Sequence, residues 1–335
     1  METIRADTIR DIDEKVWNTL VGCDFVERTH AWYRTVEDSG IRRMHYLFVK
    51  ENQNLVAAAC CFPYNHILYK VKIRFLEVRS PLGISPAFFS RTPQHAQALM
   101  RGLEQIQKEE KTKGFLILDL KRSSIENLRG FTCFPMIENT YIDLNFTDFD
   151  DYLDSLSRKN RGNIRNTLNK ARKKWEIRSL VTNEFSKWKD VACRLQGYTC
   201  EKHNDYHLYL TEQFYEALEK NLKDKVELIL FFRKEVPLVS GLCLNSPTIC
   251  QCRAAGVDPR YREYQAYFLM YYEGINRAIE RKQKRIYLGT TVYSFKERIG
   301  VKKEELLGAV KLKNFALDLG LKSYVAASRT WGKKF

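Results

Sequence analysis

The chain has 335 residues, of which 44% are hydrophobic and 29% are charged, a balance that is typical of globular proteins and excludes a disordered chain. A chain of this length is expected to form two domains of ordinary size, each with its own core. The net charge of +15 favours a polyanionic partner or substrate, such as RNA, a nucleotide diphosphate or an anionic membrane surface. Charge alone does not distinguish among these three.

The N-terminal residues, METIRADTIRDIDEKVW, contain acids and bases from the start and lack the apolar core of a secretory signal. The longest apolar runs, residues 55–63 and 226–232, are much shorter than the ~20 residues of a membrane-spanning helix. We therefore expect a soluble, cytoplasmic protein.

The cysteines point to the same compartment. The sequence contains 9 Cys, an odd number, and five of them lie in apolar or alternating runs that predict strands, which favours buried free thiols over disulfides. These five are Cys60, Cys61, Cys243, Cys250 and Cys252. Cys250 and Cys252 are separated by one residue, and no second Cys or His pair stands at zinc spacing. No metal site is predicted.

In the first half, a β-hairpin pattern around the polar turn 51–54 is followed by a third strand. Residues 93–113 then carry apolar side chains at helical spacing and precede a short buried strand, which predicts a helix leading into a parallel strand. The predicted strands of this half are 44–50, 55–62, 70–78 and 115–119.

The second half repeats this order. A hairpin around residues 233–237 is extended by a third strand, and the helix 264–282 leads into a strand that ends at Gly289. The predicted strands are 226–232, 238–244, 248–255 and 285–288. Two copies of one mixed α/β fold are the economical interpretation.

The strongest charge feature lies between the copies. Residues 148–154 are acidic, whereas residues 155–174 contain basic side chains and no acid. Helical spacing places the guanidinium groups on one face, where they can chelate phosphate oxygens; the alternative is a solvated helix face. Because Gly162 interrupts the segment, we expect the helix to begin after it and to offer its N-terminal amides to an anion. The predicted phosphate-binding residues are Arg158, Lys159, Arg161 and Arg165.

Three segments resemble those of one family. Residues 155–174 (SLSRKNRGNIRNTLNKARKK) are similar to the sequence that opens the second domain of Fem-type, peptidoglycan-related transferases with the GNAT fold. Residues 287–301 (YLGTTVYSFKERIGV) resemble their closing motif, in which a strand ends in Leu-Gly and a Tyr-x-Phe-Lys segment follows. Residues 254–279 are similar to the strand, turn and long helix between them. The resemblance covers the second half well and the first half only by architecture.

The resemblance implies an α/β protein with two tandem GNAT-like (acyl-CoA N-acyltransferase-like) domains, residues 1–147 and 148–335, and a substrate cleft between them or at the mouth of the second. No long coiled-coil arm is visible in the sequence, unlike in the larger members of the family.

The activity implied is that of an N-acyl or aminoacyl transferase, which forms an amide between an activated donor and an amine. The donor, aminoacyl-tRNA or acyl-CoA, would be a cosubstrate, and no tightly bound cofactor is expected. The acceptor would be an amine-bearing small molecule or a cell-wall precursor. The alternative is a non-catalytic RNA-binding or scaffolding protein with the same fold.

Within the closing motif, Lys296 matches the lysine that, in the family, binds phosphate or stabilises charge in the transition state. The alternative is a lysine that only caps a turn. Glu263, Tyr264 and Tyr293 are candidates for the general base, with no decision among them; the alternative is a chain of water molecules. Arg253 and Phe295 are further candidates for substrate binding.

The segment 258–265 (DPRYREYQ) occupies the place of the glycine-rich pyrophosphate loop of ordinary GNAT acetyltransferases but contains no glycine. Standard acetyl-CoA binding is therefore weakened as a hypothesis. Arg260, Arg262 and Tyr264 could replace the loop amides, or they could form a plain surface turn.

His203 and His207 stand at helical spacing, but they are interpreted as paired surface histidines, because nothing nearby in the sequence supports a metal. The resemblance implies that the surrounding segment, residues 197–209, lines the acceptor pocket.

Overall fold

The computed structural model describes residues 1–68, 71–126 and 128–330. Its strands are β1 (Glu2–Ala6), β2 (His45–Glu51), β3 (Asn54–Leu68), β4 (Val71–Val78), β5 (Phe88–Ser90), β6 (Gly114–Leu120), β7 (Thr132–Pro135), β8 (Asn139–Asp143), β9 (Ile177–Thr182), β10 (Val226–Arg233), β11 (Val236–Asn245), β12 (Ile249–Val257), β13 (Arg285–Gly289), β14 (Lys302–Glu304) and β15 (Leu307–Leu312). Its α-helices are α1 (Glu14–Val21), α2 (His30–Asp38), α3 (Pro93–Glu109), α4 (Arg122–Ile125), α5 (Phe149–Asp154), α6 (Arg158–Lys173), α7 (Phe185–His203), α8 (Glu212–Leu222), α9 (Ala266–Glu280), α10 (Tyr293–Arg298) and α11 (Phe315–Thr330).

The first sheet has the order β1-β2-β3-β4-β6-β15-β7, with β5 paired to β3. The predicted hairpin is β2 and β3, and α3 leads into β6, which pairs in parallel with β4 as expected. Strand β3 is longer than the predicted 55–62. Its first part pairs with β2, and its second part, from Phe62 onward, pairs with β4.

The second sheet has the order β14-β8-β13-β12-β11-β10-β9. Strands β10, β11 and β12 form an antiparallel meander, and α9 leads into β13, which pairs in parallel with β12. Each sheet therefore contains one meander, one crossing helix and one parallel pair. The two mixed sheets confirm the predicted duplication of one α/β fold.

The two sheets exchange a strand in each direction. Strand β8, from the first half of the sequence, lies between β13 and β14 of the second sheet. Strand β15, from the end of the sequence, lies between β6 and β7 of the first sheet. The domain boundary at residues 147 and 148 stays a prediction, and main-chain pairing crosses it both ways.

The largest core lies between the sheets and is shared by both halves. Helices α1 and α2 cover one face of the first sheet, α7 and α8 cover one face of the second, and their buried side chains form one cluster. Trp32 of α2 meets Phe214 of α8 with ring centroids 5.5 Å apart. Helix α3 covers the outer face of the first sheet, and α9 covers that of the second. Because burial of apolar area is the main favourable term in folding, the halves stabilise one another.

No helix in residues 1–68, 71–126 and 128–330 is both long enough and apolar enough to span a bilayer.

Candidate active site

Strands β12 and β13 run in parallel but separate after three paired residues. Pairing extends from Ile249 to Gln251 on β12, whereas β12 itself continues to Val257. Strand β13 ends at Gly289, where φ is +80°. The carboxyl ends of the two strands therefore enclose a gap, and such gaps are where open α/β sheets bind ligands.

A cavity of about 690 Å³ opens at this gap. Its walls are formed by the diverging ends of β12 and β13, the start of α9, the end of α7 and a few residues of the first half. Its charged lining residues are all basic: Lys202, Arg253 and Arg262. No Asp or Glu is among its described lining residues. The cavity is thus suited to an anionic ligand.

Helix α7 can form one wall because Gly256 lets it lie directly against β12. A Cβ atom at Gly256 would lie 2.3 Å from the backbone nitrogen of Gln196 and 2.4 Å from the carbonyl carbon of Leu195. The last turns of α7 consequently face the cavity, where Tyr198, Thr199 and the residues that follow line it. The prediction that residues 197–209 border a pocket agrees with this geometry.

Lys296 of α10 is fully buried behind the end of β13. Its Nζ has no hydrogen-bond partner among the residues that the structure describes. The atom lies 3.9 Å from the position of a Cβ at Gly289 and 5.6 Å from the ring centroid of Tyr271, and both of these residues line the cavity. Burial lowers the pKa of Lys296 to about 8, and the positive charge of Arg253 acts in the same direction. Lys296 is not itself among the described residues that line the cavity, so its cationic group lies without a hydrogen-bond partner behind the cavity wall, next to the end of β13.

Arg253 connects this site to the first half of the chain. Its guanidinium forms an ion pair with Glu27, which is fully buried, and Nη2 donates to Oε2 over 3.1 Å. Burial opposes ionisation of Glu27, but Arg253 and hydrogen bonds from Ser85 and Ile84 outweigh it and lower the pKa of Glu27. Arg253 was predicted to bind substrate; it lines the cavity while being held by a carboxylate from the other half.

The segment 258–265 forms a 3₁₀ helix, Pro259–Tyr264, ahead of α9. Arg262 lines the cavity, whereas Arg260 turns back onto Asp258, with Nη2 2.7 Å from Oδ2. Tyr264 packs against the ring of Trp175, with centroids 5.9 Å apart, and does not line the cavity. Of the three predicted replacements for loop amides, the structure brings only Arg262 to the site.

Like Tyr264, the other two candidate bases, Glu263 and Tyr293, are placed outside the cavity. Glu263 is exposed, and the hydroxyl of Tyr293 donates to the main-chain oxygen of Glu138 over 2.5 Å. Neither is among the residues that line the cavity. Phe295 is buried and stacks on Phe268, with ring centroids 4.3 Å apart, so that it supports the cavity wall from behind.

The basic segment forms α6, but the predicted start of this helix after Gly162 is wrong. The helix begins at Arg158, and the side chain of Ser157 caps it by accepting from the backbone nitrogen of Asn160. Because Gly162 has no atom within 4 Å of a Cβ position, it lies on an open helix surface. One N-terminal amide, that of Asn160, thus already has a side-chain partner within the chain.

Two of the four predicted phosphate ligands on α6 are engaged by acids of α5. Arg161 lies 3.4 Å from Asp154, and Arg165 lies 3.1 Å from Asp150. Arg158 and Lys159 are exposed, and none of the four lines the large cavity. The opposite, asparagine-rich side of α6 lines a second cavity of about 250 Å³, together with Phe295.

The interpretation of His203 and His207 as a surface pair is correct for His203, which is exposed, and wrong for His207, which is half-buried. Helix α7 ends at His203, which lines the cavity, and Asn204 then adopts a left-handed conformation that turns the chain away. His207 instead points to Glu77 of the first half, with Nε2 3.5 Å from Oε2, and His66 approaches the other oxygen to 3.6 Å. Contacts such as that of His207 with Glu77, between residues far apart in the chain, cannot be predicted from the local sequence.

Sequence reasoning also missed Lys202 and Tyr267, both of which line the cavity. Lys202 lies in the segment 197–209, which was already assigned to the pocket. Tyr267 lies in the first turn of α9, where helical spacing does not distinguish residues that line a cavity from residues of the core.

Comparison with known proteins agrees with this architecture. Residues 86–333 match the model of the FemAB-like family, described as peptidoglycan biosynthesis/recognition. Among curated protein sequences, none matches this chain.

Solved structures share the fold. FemX is 14% identical with a TM-score of 0.63, and the alignment covers 96% of this chain and 100% of FemX. The C-terminal domain of a putative lysylphosphatidylglycerol synthetase from Agrobacterium fabrum is 10% identical with a TM-score of 0.60, covering 96% and 97%. A tandem GNAT protein from the clavulanic acid biosynthesis pathway is 8% identical with a TM-score of 0.58, covering 93% and 98%. The protein thus has the tandem GNAT fold.

Proposed function

Because the chain belongs to the FemAB-like family, we propose that it is an N-acyl or aminoacyl transferase that forms an amide between an activated acyl donor and an amine acceptor. The observation that carries the proposal is the buried, unpartnered ammonium of Lys296 at the gap between β12 and β13. An unpaired buried charge is costly for stability, so its retention indicates a functional role.

The chemistry is favoured by a cation or by hydrogen-bond donors close to the carbonyl oxygen of the donor. The amine attacks the carbonyl carbon of the donor, a C–N bond forms, and the carbonyl oxygen becomes an oxyanion. The C–O bond of an aminoacyl ester or the C–S bond of a thioester then breaks, and the proton lost by the amine passes to the leaving group or to water. In this proposal Lys296 stabilises the oxyanion, a contribution that is strongest in a site shielded from water.

The phosphates of the donor are assigned to the start of α9. The N-terminus of α9 has no side-chain cap, and its first residues line the cavity beside Arg262. Uncapped helix amides together with a guanidinium favour phosphate binding. Aminoacyl-tRNA carries a phosphate on the same nucleotide as its ester, and acyl-CoA carries a diphosphate beyond the pantetheine arm, so a phosphate site at α9 does not by itself choose between the two donors.

The acceptor is assigned to the α7 side of the cavity, where Tyr198, Thr199 and His203 lie. His203 is the proposed general base, because an imidazole nitrogen can accept a proton from the incoming amine. A cell-wall precursor and a smaller amine are both compatible with a cavity of about 690 Å³.

The test is a transfer assay with two donor arms. Acyl-CoA is supplied with a thiol reagent that reports release of coenzyme A, and radiolabelled aminoacyl-tRNA is supplied in parallel. Each donor is tested with a peptidoglycan precursor that bears a free amine and with a panel of small amines. The proposal predicts amine-dependent transfer from one donor, with loss of transfer in Lys296→Met.

Lys303→Met is the matched control, because Lys303 is an exposed lysine close by in sequence that pairs with Glu297. Transfer in neither arm, together with RNA binding that is the same in wild type and Lys296→Met, would contradict the proposal and favour the non-catalytic alternative.

A further inference from the structure

Three cysteines converge on one side of the second sheet. Cys250 and Cys252 are two residues apart on β12 and so face the same side of the sheet. Cys243 of β11 is paired with Cys252 in the strand register. Their three Sγ atoms all lie within 4.8 Å of one another, and those of Cys243 and Cys252 are 3.6 Å apart. We propose that this triad, Cys243, Cys250 and Cys252, binds a zinc-type divalent cation through three thiolates.

The distances fit such an ion. A tetrahedral zinc site with Zn–S bonds of about 2.3 Å places its sulfur atoms about 3.8 Å apart. The 3.6 Å separation of Cys243 and Cys252 is already close to this value. The remaining pairs need to close by no more than about 1 Å, which rotation of a cysteine side chain about χ1 can supply.

The surroundings leave one side of the triad open and close the other. Helix α9 covers the triad, and Gly274 permits this, because a Cβ there would lie 3.2 Å from Sγ of Cys252. Cys243 and Cys250 are almost fully buried, but Cys243 and Cys252 also line the large cavity. The cavity therefore provides an entry path for the ion.

The local charge is complementary to the occupied site. Three thiolates and one divalent cation carry a net charge of minus one, since cysteine ligands bind as thiolates. A buried anionic centre is tolerated when cations lie nearby. The charged residues that line the adjoining cavity are all basic: Lys202, Arg253 and Arg262.

The sequence alone does not reveal the triad. Cys243 is separated from Cys250 by six residues and from Cys252 by eight, a spacing set by the β11–β12 turn and unlike the paired motifs of zinc fingers. The hairpin register brings the third sulfur into place.

The experiment measures metal in the full-length protein, purified without a histidine tag. Bound zinc is quantified after dialysis by elemental mass spectrometry. The metal-free protein is then titrated with Cd²⁺, and the ultraviolet absorption of cadmium–thiolate bonds is followed. We expect about one ion per chain, and at least a tenfold loss of Cd²⁺ affinity in Cys252→Ser and in Cys252→Ala.

Cys61→Ser is the control, because Cys61 is a fully buried thiol in β3 of the first sheet, outside the triad. It should bind Cd²⁺ like wild type, and circular dichroism confirms that each variant is folded. Absence of the cadmium–thiolate band, an unchanged band in folded Cys252→Ser, or a Cys243–Cys252 disulfide in protein kept under reductant would overturn the proposal. No substrate is used, so the result is independent of the transferase assay.

Discussion

Glu27 and Arg253 form a buried ion pair that joins the two halves of the molecule at the wall of the cavity. The two residues are 226 positions apart in sequence. Gly83 packs onto the same carboxylate, because a Cβ there would lie 2.6 Å from Cδ of Glu27. The cavity thus depends on the contact between the halves as well as on the second sheet.

Removing the charge of Glu27 should be strongly destabilising. We expect Glu27→Gln to lower the free energy of unfolding by about 3–5 kcal/mol, because it leaves Arg253 charged, buried and unpaired. Glu235→Gln is the control, since its pair with Arg178 is largely exposed and should change stability by less than about 1 kcal/mol. Urea unfolding measures both, and equal small effects would contradict the assigned role of the buried pair.

Gly256 sets the distance between α7 and β12, and Gly197 offers a comparison within α7. We expect Gly256→Ala to destabilise the fold by at least about 2 kcal/mol, since the added methyl group would overlap the α7 backbone. Gly197→Ala has no atom within 4 Å of its Cβ and should stabilise the helix by up to about 1 kcal/mol. Thermal unfolding measures the stability of both variants. An unchanged stability of Gly256→Ala would show that α7 can shift away from β12 at no cost.

Glu77 should make stability dependent on acidic pH. Burial opposes its ionisation, but His207, His66 and Arg79 outweigh burial and lower its pKa from 4.5 to about 2. A carboxylate with a lowered folded-state pKa contributes stability that is fully present above about pH 4.5 and is lost as the pH falls towards 2.

The expected contribution is up to about 3 kcal/mol, the equivalent of this pKa difference. Unfolding free energies of wild type and Glu77→Gln at pH 6 and pH 3.5 measure it. The wild type should lose more stability than the variant between these two pH values. An identical loss in both proteins would exclude Glu77 as the source.

The hairpins and crossing helices follow from sequence because their signals are local. The alternating strands β2, β3, β10 and β11 and the apolar face of α9 lie close to their predicted positions. No local signal indicates that β8 and β15 are exchanged between the sheets. Each of the two strands pairs with strands that are far away in sequence, in the sheet of the other half.

The site was predictable only in part, for the same reason. Lys296 stands out in the closing motif, and the structure places it behind the cavity wall, 5.6 Å from the ring centroid of the lining residue Tyr271. Arg253, a further candidate, lines the cavity itself. The arginines of α6 also stand out, but two of them form ion pairs with aspartates of the preceding helix, α5. The partners of His207 and Arg253 come from the first half of the chain, and only the packing of the halves identifies them.

The exposed basic residues of α6 can separate the two donor classes. Replacing Arg158 and Lys159 with Glu should weaken tRNA binding and lower the slope of log affinity against log salt by about 2, if both contact phosphates. Transfer from acyl-CoA should be unchanged, because neither residue lines the cavity.

Arg101→Glu with Lys108→Glu on α3 is the control, because both residues are exposed and the net charge changes equally. Filter binding at several salt concentrations measures the effect. Equal weakening of tRNA binding in the two double variants would show that net charge, and not the position of the residues on α6, determines the affinity.

The most direct test of the central claim is to measure Lys296→Met for both transfer rate and stability in the metal-free protein. A functional cation buried without a partner should be needed for the reaction but not for folding. We expect kcat to fall by about 10²–10³-fold, as on loss of an oxyanion-stabilising group, while the free energy of unfolding stays the same or rises. A kcat within about twofold of wild type in the folded variant would contradict the account.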